Sequence, residues 1–219
     1  MHSEKQYIDL YRECREQICA HSAAPLNAVR DAAFEQFERQ GFPSRKVERY
    51  KYTSVDELFA PDYGVNVNRL EIPVDPYKAF RCDVPNLSTS LYFIVNDQFR
   101  AALQPKENLP EGVVVDSLAA YAQANPQFVA DHYAQLAHAD EDGITALNTM
   151  LAQDGLLVYV KRGVKVDRTI QVINILRSDV PLMVNRRGLI VMEEGAEAKL
   201  LFCDHAADDR EFLATQVIE

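Results

Sequence analysis

The chain has 219 residues, 47% of them apolar and 26% charged, and its 23 Lys and Arg against 33 Asp and Glu leave a formal charge of −10. That balance excludes disorder along the whole length and predicts a folded core in one large or two small domains. The acidic excess speaks against non-specific binding to nucleic acid, whose phosphates attract clustered Lys and Arg. The pairs Lys161-Arg162 and Arg186-Arg187 are too small to make a basic stripe.

No apolar run approaches the roughly 20 residues that span a bilayer. The opening Met1-His2-Ser3-Glu4-Lys5-Gln6 carries no greasy segment behind a basic one. A cytoplasmic chain is therefore expected, with Cys14, Cys19, Cys82 and Cys203 as free thiols.

The first third reads as helix. Tyr7, Leu10, Tyr11, Cys14 and Ile18 fall on one helical face. A second helix is expected from Pro25, tolerated in a first turn, to Gly41, with Leu26, Val29, Ala33, Phe34 and Phe37 as its apolar stripe. Ser54 followed by Glu57 suggests a capping box over a short turn. Pro61, Pro73, Pro76 and Pro85 then interrupt every helical pattern and predict an extended connector at about 60–90. Leu91–Val95 and Gly112–Val115 read as strands of a small sheet, with a turn at Asn96-Asp97. Asn125-Pro126 predicts a helix start, with Val129, His132, Tyr133 and Leu136 sharing a face. Asp142 predicts another, with Ile144, Leu147 and Leu151 inward and Gly155 able to stop it.

From Gly155 the pattern changes. Leu156–Val160, Ile170–Leu176, Leu189–Met192, Ala198–Cys203 and Ala214–Ile218 are strand-like runs, punctuated by Gly163, Ser178-Asp179, Gly188, Gly195 and Asp208-Asp209. No helix-length segment separates them, so βαβ units are not expected. Several runs are apolar on both faces, as in strands buried on both sides. A sandwich, a barrel and a parallel β-helix all fit. The expected class is α+β, with a mostly helical domain over 1–154 and a β-rich one over 155–219. The strand in progress at Ala214–Glu219 suggests that the chain continues, or that something else covers this strand.

No constellation gives a self-contained active site. Cys14-x4-Cys19-x-His21 resembles a metal motif, but residues five apart on a helix point about 140° apart and do not converge. His132 and His138 are six apart, and His132 reads as a core-edge histidine. Cys203 and His205 would face the same way along a strand, but two ligands do not make a site; a buried Cys and a loop His are expected. Arg186-Arg187 reads as a solvated turn, as do Glu193-Glu194 and Asp208-Asp209. Phosphate-loop, dinucleotide, nucleophile-elbow and HExxH patterns are absent from the sequence. No catalytic or metal residue is assigned, and no cofactor-binding residue is identified.

The order of segments carries more. Phe42-Pro43, then Val47-Glu48-Arg49-Tyr50-Lys51-Tyr52-Thr53, Leu58-Phe59 and Asp62-Tyr63-Gly64-Val65 resemble the N-terminal region of the SufD family, subunits of the SUF iron–sulfur cluster assembly scaffold. That family usually reads E-x-W-[KR]-Y-T here, and Tyr50 stands at the Trp position. Ala146-Leu147-Asn148 with Asp154-Gly155, Val160–Val164, Ile170-Gln171-Val172, and Leu189-Ile190-Val191 with Glu194-Gly195-Ala196 are similar to the same family in the same order.

The resemblance implies a helical N-terminal domain followed by the first turns of a right-handed parallel β-helix. It implies a non-catalytic scaffold pairing with SufB and recruiting the ATPase SufC. The iron–sulfur cluster would be transient, and a reduced flavin accompanies the complex in some members. It also implies that the residues of cluster chemistry lie in a later portion of the family, so none is carried onto Cys203 or His205. An open β-helix end over residues 198–219 would favour a homodimer. Two other readings differ in class: a stand-alone β-helix protein that binds or degrades a polysaccharide, and a helical domain serving only as a lid.

Overall fold

In a computed structural model, residues 3–80, 89–103 and 109–219 are described. Cys82 and Pro85 of the expected connector lie outside them. The class is mixed helix and sheet. Helix α1 (Glu4–Ala20) is followed by α2 (Ala24–Asn27) and α3 (Arg30–Gln40). The single helix expected from Pro25 to Gly41 is thus broken at Ala28-Val29, and Gly41 takes φ 62° at its end. A 3-10 turn (Glu48–Tyr50) precedes α4 (Val55–Phe59). Ser54 starts α4 as expected, but its side chain makes no capping bond.

The connector holds only a two-residue strand, β1 (Gly64–Val65), and a short helix, α5 (Pro76–Ala79), which Asp75 caps through the N–H groups of Tyr77 and Lys78. Strand β2 (Thr89–Val95) turns back at Asn96-Asp97 into β3 (Gln98–Phe99), as the sequence predicts. Then come β4 (Val113–Ser117), α6 (Leu118–Ala124), α7 (Pro126–His132) and α8 (Gly143–Leu151). Helix α7 ends at His132, so Leu136 leaves its expected face and is exposed. Asp142 caps α8 through Ile144 and Thr145.

Five strands complete the chain: β5 (Leu156–Val160), β6 (Thr169–Leu176), β7 (Leu182–Met192), β8 (Leu200–Ala206) and β9 (Phe212–Ile218). They alternate between two sheets. In the larger, β5 and β9 both pair with β7 in parallel, β1 pairs with the start of β7, and β4 pairs with β5 antiparallel. The smaller runs β3-β2-β6-β8, with β6 parallel to both neighbours. The small separate sheet expected for residues 91–115 does not form: β2 lies against β6 and β4 against β5. A strand beside the apolar runs after Gly155 buries its backbone groups better than a two-stranded sheet alone.

Strands β5, β6 and β7 each stack on the one two places later. Leu156 lies opposite Gly188, an offset of 32, and Leu182 opposite Phe212, an offset of 30. Ile170 lies opposite Leu200, also 30 apart. The corners stack as well, with Lys165 bridged to Glu197. Gly163 and Gly195 occupy equivalent places in successive corners at φ 69° and 73°, backbone that only glycine adopts freely.

Both faces of β5, β6 and most of β7 are covered. Leu156, Val158, Val160, Ile170 and Val172 meet Tyr92, Ile94, Val113 and Val115 between the sheets. Leu157 and Leu189 face away from that core toward Leu118, Ala122, Val129 and Tyr133 of the helices. A third core joins Tyr7, Tyr11, Ile18, Phe37, Phe42, Phe59, Leu147 and Met150, and reaches Met183 of β7. The near-continuous Val, Ile and Leu of these runs follow from burial on two sides.

Candidate functional site

The least expected feature is a set of buried arginines. Arg186 and Arg187, read from sequence as a solvated turn, sit inside β7 at 3% and 1% exposure. Neighbours in a strand face opposite ways, so each arginine enters a different core. Arg187 points to the helices. It pairs with the Glu219 side chain at 2.7 Å, donates to Thr149 Oγ1 at 3.0 Å and lies over the Tyr133 ring at 4.7 Å. Glu219 also accepts from the backbone N–H groups of Ala134, Leu136 and Ala137. Burial alone would raise the Glu219 carboxyl, but Arg187 and those donors hold it below its ordinary range. The cluster joins β7, β9 and the segment after α7.

Arg186 points between the sheets. Its Nε donates to the Asn96 carbonyl at 3.0 Å and its Nη1 reaches Asp204 of β8. Burial lowers its pKa, opposed by Asp204 and then Asp97. Asp97 is itself paired with Arg69 at 2.7 Å, and Arg69 lies 3.6 Å from Asp154. Burial raises the Asp97 carboxyl, which Arg69 opposes and Asp154 reinforces. Asp154 accepts from Phe99 N, Ser117 Oγ and Ala119 N, fastening β3 to the start of α6. Arg30, fully buried, donates to the Met150 carbonyl at 3.0 Å and to Ser22 Oγ at 2.8 Å. The carboxylates and carbonyls these arginines meet are distant in sequence, which is why no local motif announced them.

The second feature is an open rung. The outer edges of β8 and β9 have no strand partner among the described residues. Asp204 keeps 58% of its side chain exposed, and Ile218 is 43% exposed. Leu200 and Phe202 are only partly covered. A groove of about 570 Å³ runs beside this rung, lined by Val166, Met192, Ala196, Ala198 and the Lys165–Glu197 ion pair. Unpaired edges of this kind template further strands.

The remaining candidates disperse. Cys14 packs against the helical core, while His21 is exposed at the end of α1. Cys19 presents its carbonyl to Asn27. His132 donates from Nδ1 to the Phe128 carbonyl, 2.7 Å away, a satisfied core-edge histidine. Cys203 and His205 do share the outer face of β8, but Cys203 meets Gln171 and His205 stands edge-on to Phe80. His205 is in the strand, not in a loop as expected. Among the described residues no three His, Cys, Asp or Glu side chains converge to hold a metal ion, and no helix is long and apolar enough to cross a membrane. Glu193 lies in a turn as read, and accepts from Tyr159 Oη and Arg162 N. Asp208 likewise accepts from Ser178 N, and faces Arg177 at 3.3 Å.

The arrangement is that of an α+β protein with stacked parallel strands, stitched by buried ion pairs and ending in exposed sheet edges. A family model described as "SufBD protein N-terminal region" matches residues 1–172, and the chain belongs to that family, which serves SUF iron–sulfur cluster assembly. No curated protein matches it.

Proposed function

We propose that the chain is a SufD-type, non-catalytic scaffold subunit of the SUF machinery in the cytoplasm, pairing with SufB and with the ATPase SufC. The observation that carries this reading is the family match over residues 1–172, together with its continuation into paired parallel strands. The two sheets are read as the first rungs of a right-handed parallel β-helix; the alternation of strands, the offsets of 30–32 residues and the stacked corner glycines support that. The cluster is cargo of the assembled complex, and any flavin belongs to that complex. In isolation the open rung at 198–219 takes a second copy of the chain.

Co-expression of this chain with tagged SufB and SufC under reducing conditions tests the reading. A complex containing all three is the expected outcome. Failure to recover the chain with either partner overturns it, and a complex with a SufD subunit in place of SufB reassigns it to the SufB type.

A further inference from the structure

We infer that an ordered water molecule is bound between the two sheets, held by Asn174 and Arg186. Asn174 lies in the middle of β6 at 1% exposure, and neither its Nδ2 nor its Oδ1 has a hydrogen-bond partner. Arg186 Nη2 is also buried without one. An unmet buried donor or acceptor costs about 1–3 kcal/mol, so three in one place require a ligand.

The register brings the three together. Asn174 is flanked in its sheet by Ile94 on β2 and by Asp204 on β8. The Arg186 guanidinium bonds to Asn96, two residues beyond Ile94, and to Asp204 on the other side. Reaching both strands that border β6, it must lie across β6 where Asn174 stands. Asn174 shares the inward parity of Ile170 and Val172, whose side chains line the core between the sheets.

The chemistry of the groups selects the ligand. Two donors, Arg186 Nη2 and Asn174 Nδ2, take the two lone pairs of a water, and one acceptor, Asn174 Oδ1, takes one of its protons, three bonds in all as is usual for a buried water. The charged groups around the site are Arg186, Asp204, Asp97, Arg69 and Asp154. Three carboxylates against two guanidiniums leave no excess positive charge for an anion. The half-exposed Asp204 marks the way in.

The test is rotating-frame Overhauser spectroscopy on the full chain, deuterated and 15N-labelled. The Asn174 side-chain amide is assigned through bonds from its backbone. A cross-peak from that amide to water, of dipolar rather than exchange sign, is expected. Cross-peaks to protein protons alone would overturn the inference. Thermal unfolding of Asn174→Leu gives a second reading of opposite signs. With water bound, the variant loses those bonds and strands Arg186 Nη2, so Tm falls by about 2–4 °C. With no water, deleting an uncompensated amide leaves Tm level or raises it, which counts against the site.

Discussion

Arg186 and Arg187 show how much rests on single residues. Two adjacent cations read as a turn because neither has a nearby acid in sequence; the acids that complete them are 18 and 32 residues away. Breaking a buried pair leaves an uncompensated charge, so Arg187→Leu is expected to cost about 3–5 kcal/mol in urea unfolding at pH 7. The pH dependence has a definite sign. The folded Glu219 carboxyl lies below its ordinary value of 4.5, so its contribution is complete above that pH and is lost as pH falls through the lowered folded value. The stability gap between the parent and Arg187→Leu should therefore narrow on acidification below about pH 4.5; a constant gap would remove Glu219 from the account. Gly155 makes a separate point. A Cβ there would lie 2.0 Å from the Arg187 carbonyl oxygen, so Gly155→Ala should cost about 1–3 kcal/mol in the same assay. The sequence marked this glycine as a helix stop, but α8 ends earlier, at Leu151, and Gly155 serves the close approach of β5 to β7.

At the scale of the element, caps were legible where side chain and backbone agree. Asp142 is such a case, and it also takes the Tyr50 hydroxyl at 2.5 Å. Burial, then that bond, pushes the Tyr50 phenol up to about 12. Asp142→Ala removes both contacts. A loss of about 1–2 kcal/mol is expected, with faster amide exchange in the first turn of α8; unchanged exchange there would mean the cap adds nothing. Helix α6 escaped notice, although Ser117 caps it through Ala120 N, because its seven residues are too few to show a period and it lacks the first-turn proline that marks the equally short α7. The strand runs after Gly155 were visible by composition alone. Their lengths were not: β7 begins at Leu182, seven residues before the apolar run, since Asn185, Arg186 and Arg187 are buried by polar partners that sequence does not display.

For the whole molecule, the α+β class and the helical start were readable, whereas the partnership of distant strands was not. β2 pairs with β6 at 80 residues' distance, and no local pattern encodes such a contact. That pairing puts Ile170 at the centre of a core shared by both halves of the chain. Ile170→Ala should cost about 2–5 kcal/mol and lower the unfolding midpoint as a single transition. Two separated transitions would show that the halves fold apart. The open rung makes a prediction about association: on sizing, the isolated chain should run as a dimer, and charges placed at Leu200 and Ile218 should return it to a monomer. A parent protein that is monomeric at all concentrations would count against self-pairing.

The spacing of the stacked corners also says where this backbone tolerates growth. Lys165 and Glu197 are 32 apart, yet Ile170 and Leu200 are 30 apart, so two extra residues fit between Lys165 and Ile170 without shifting a rung. Asp167 is exposed in that bend. A peptide label spliced after Asp167 should therefore leave every strand in place, whereas the same label inside β6 would turn its interior side chains outward.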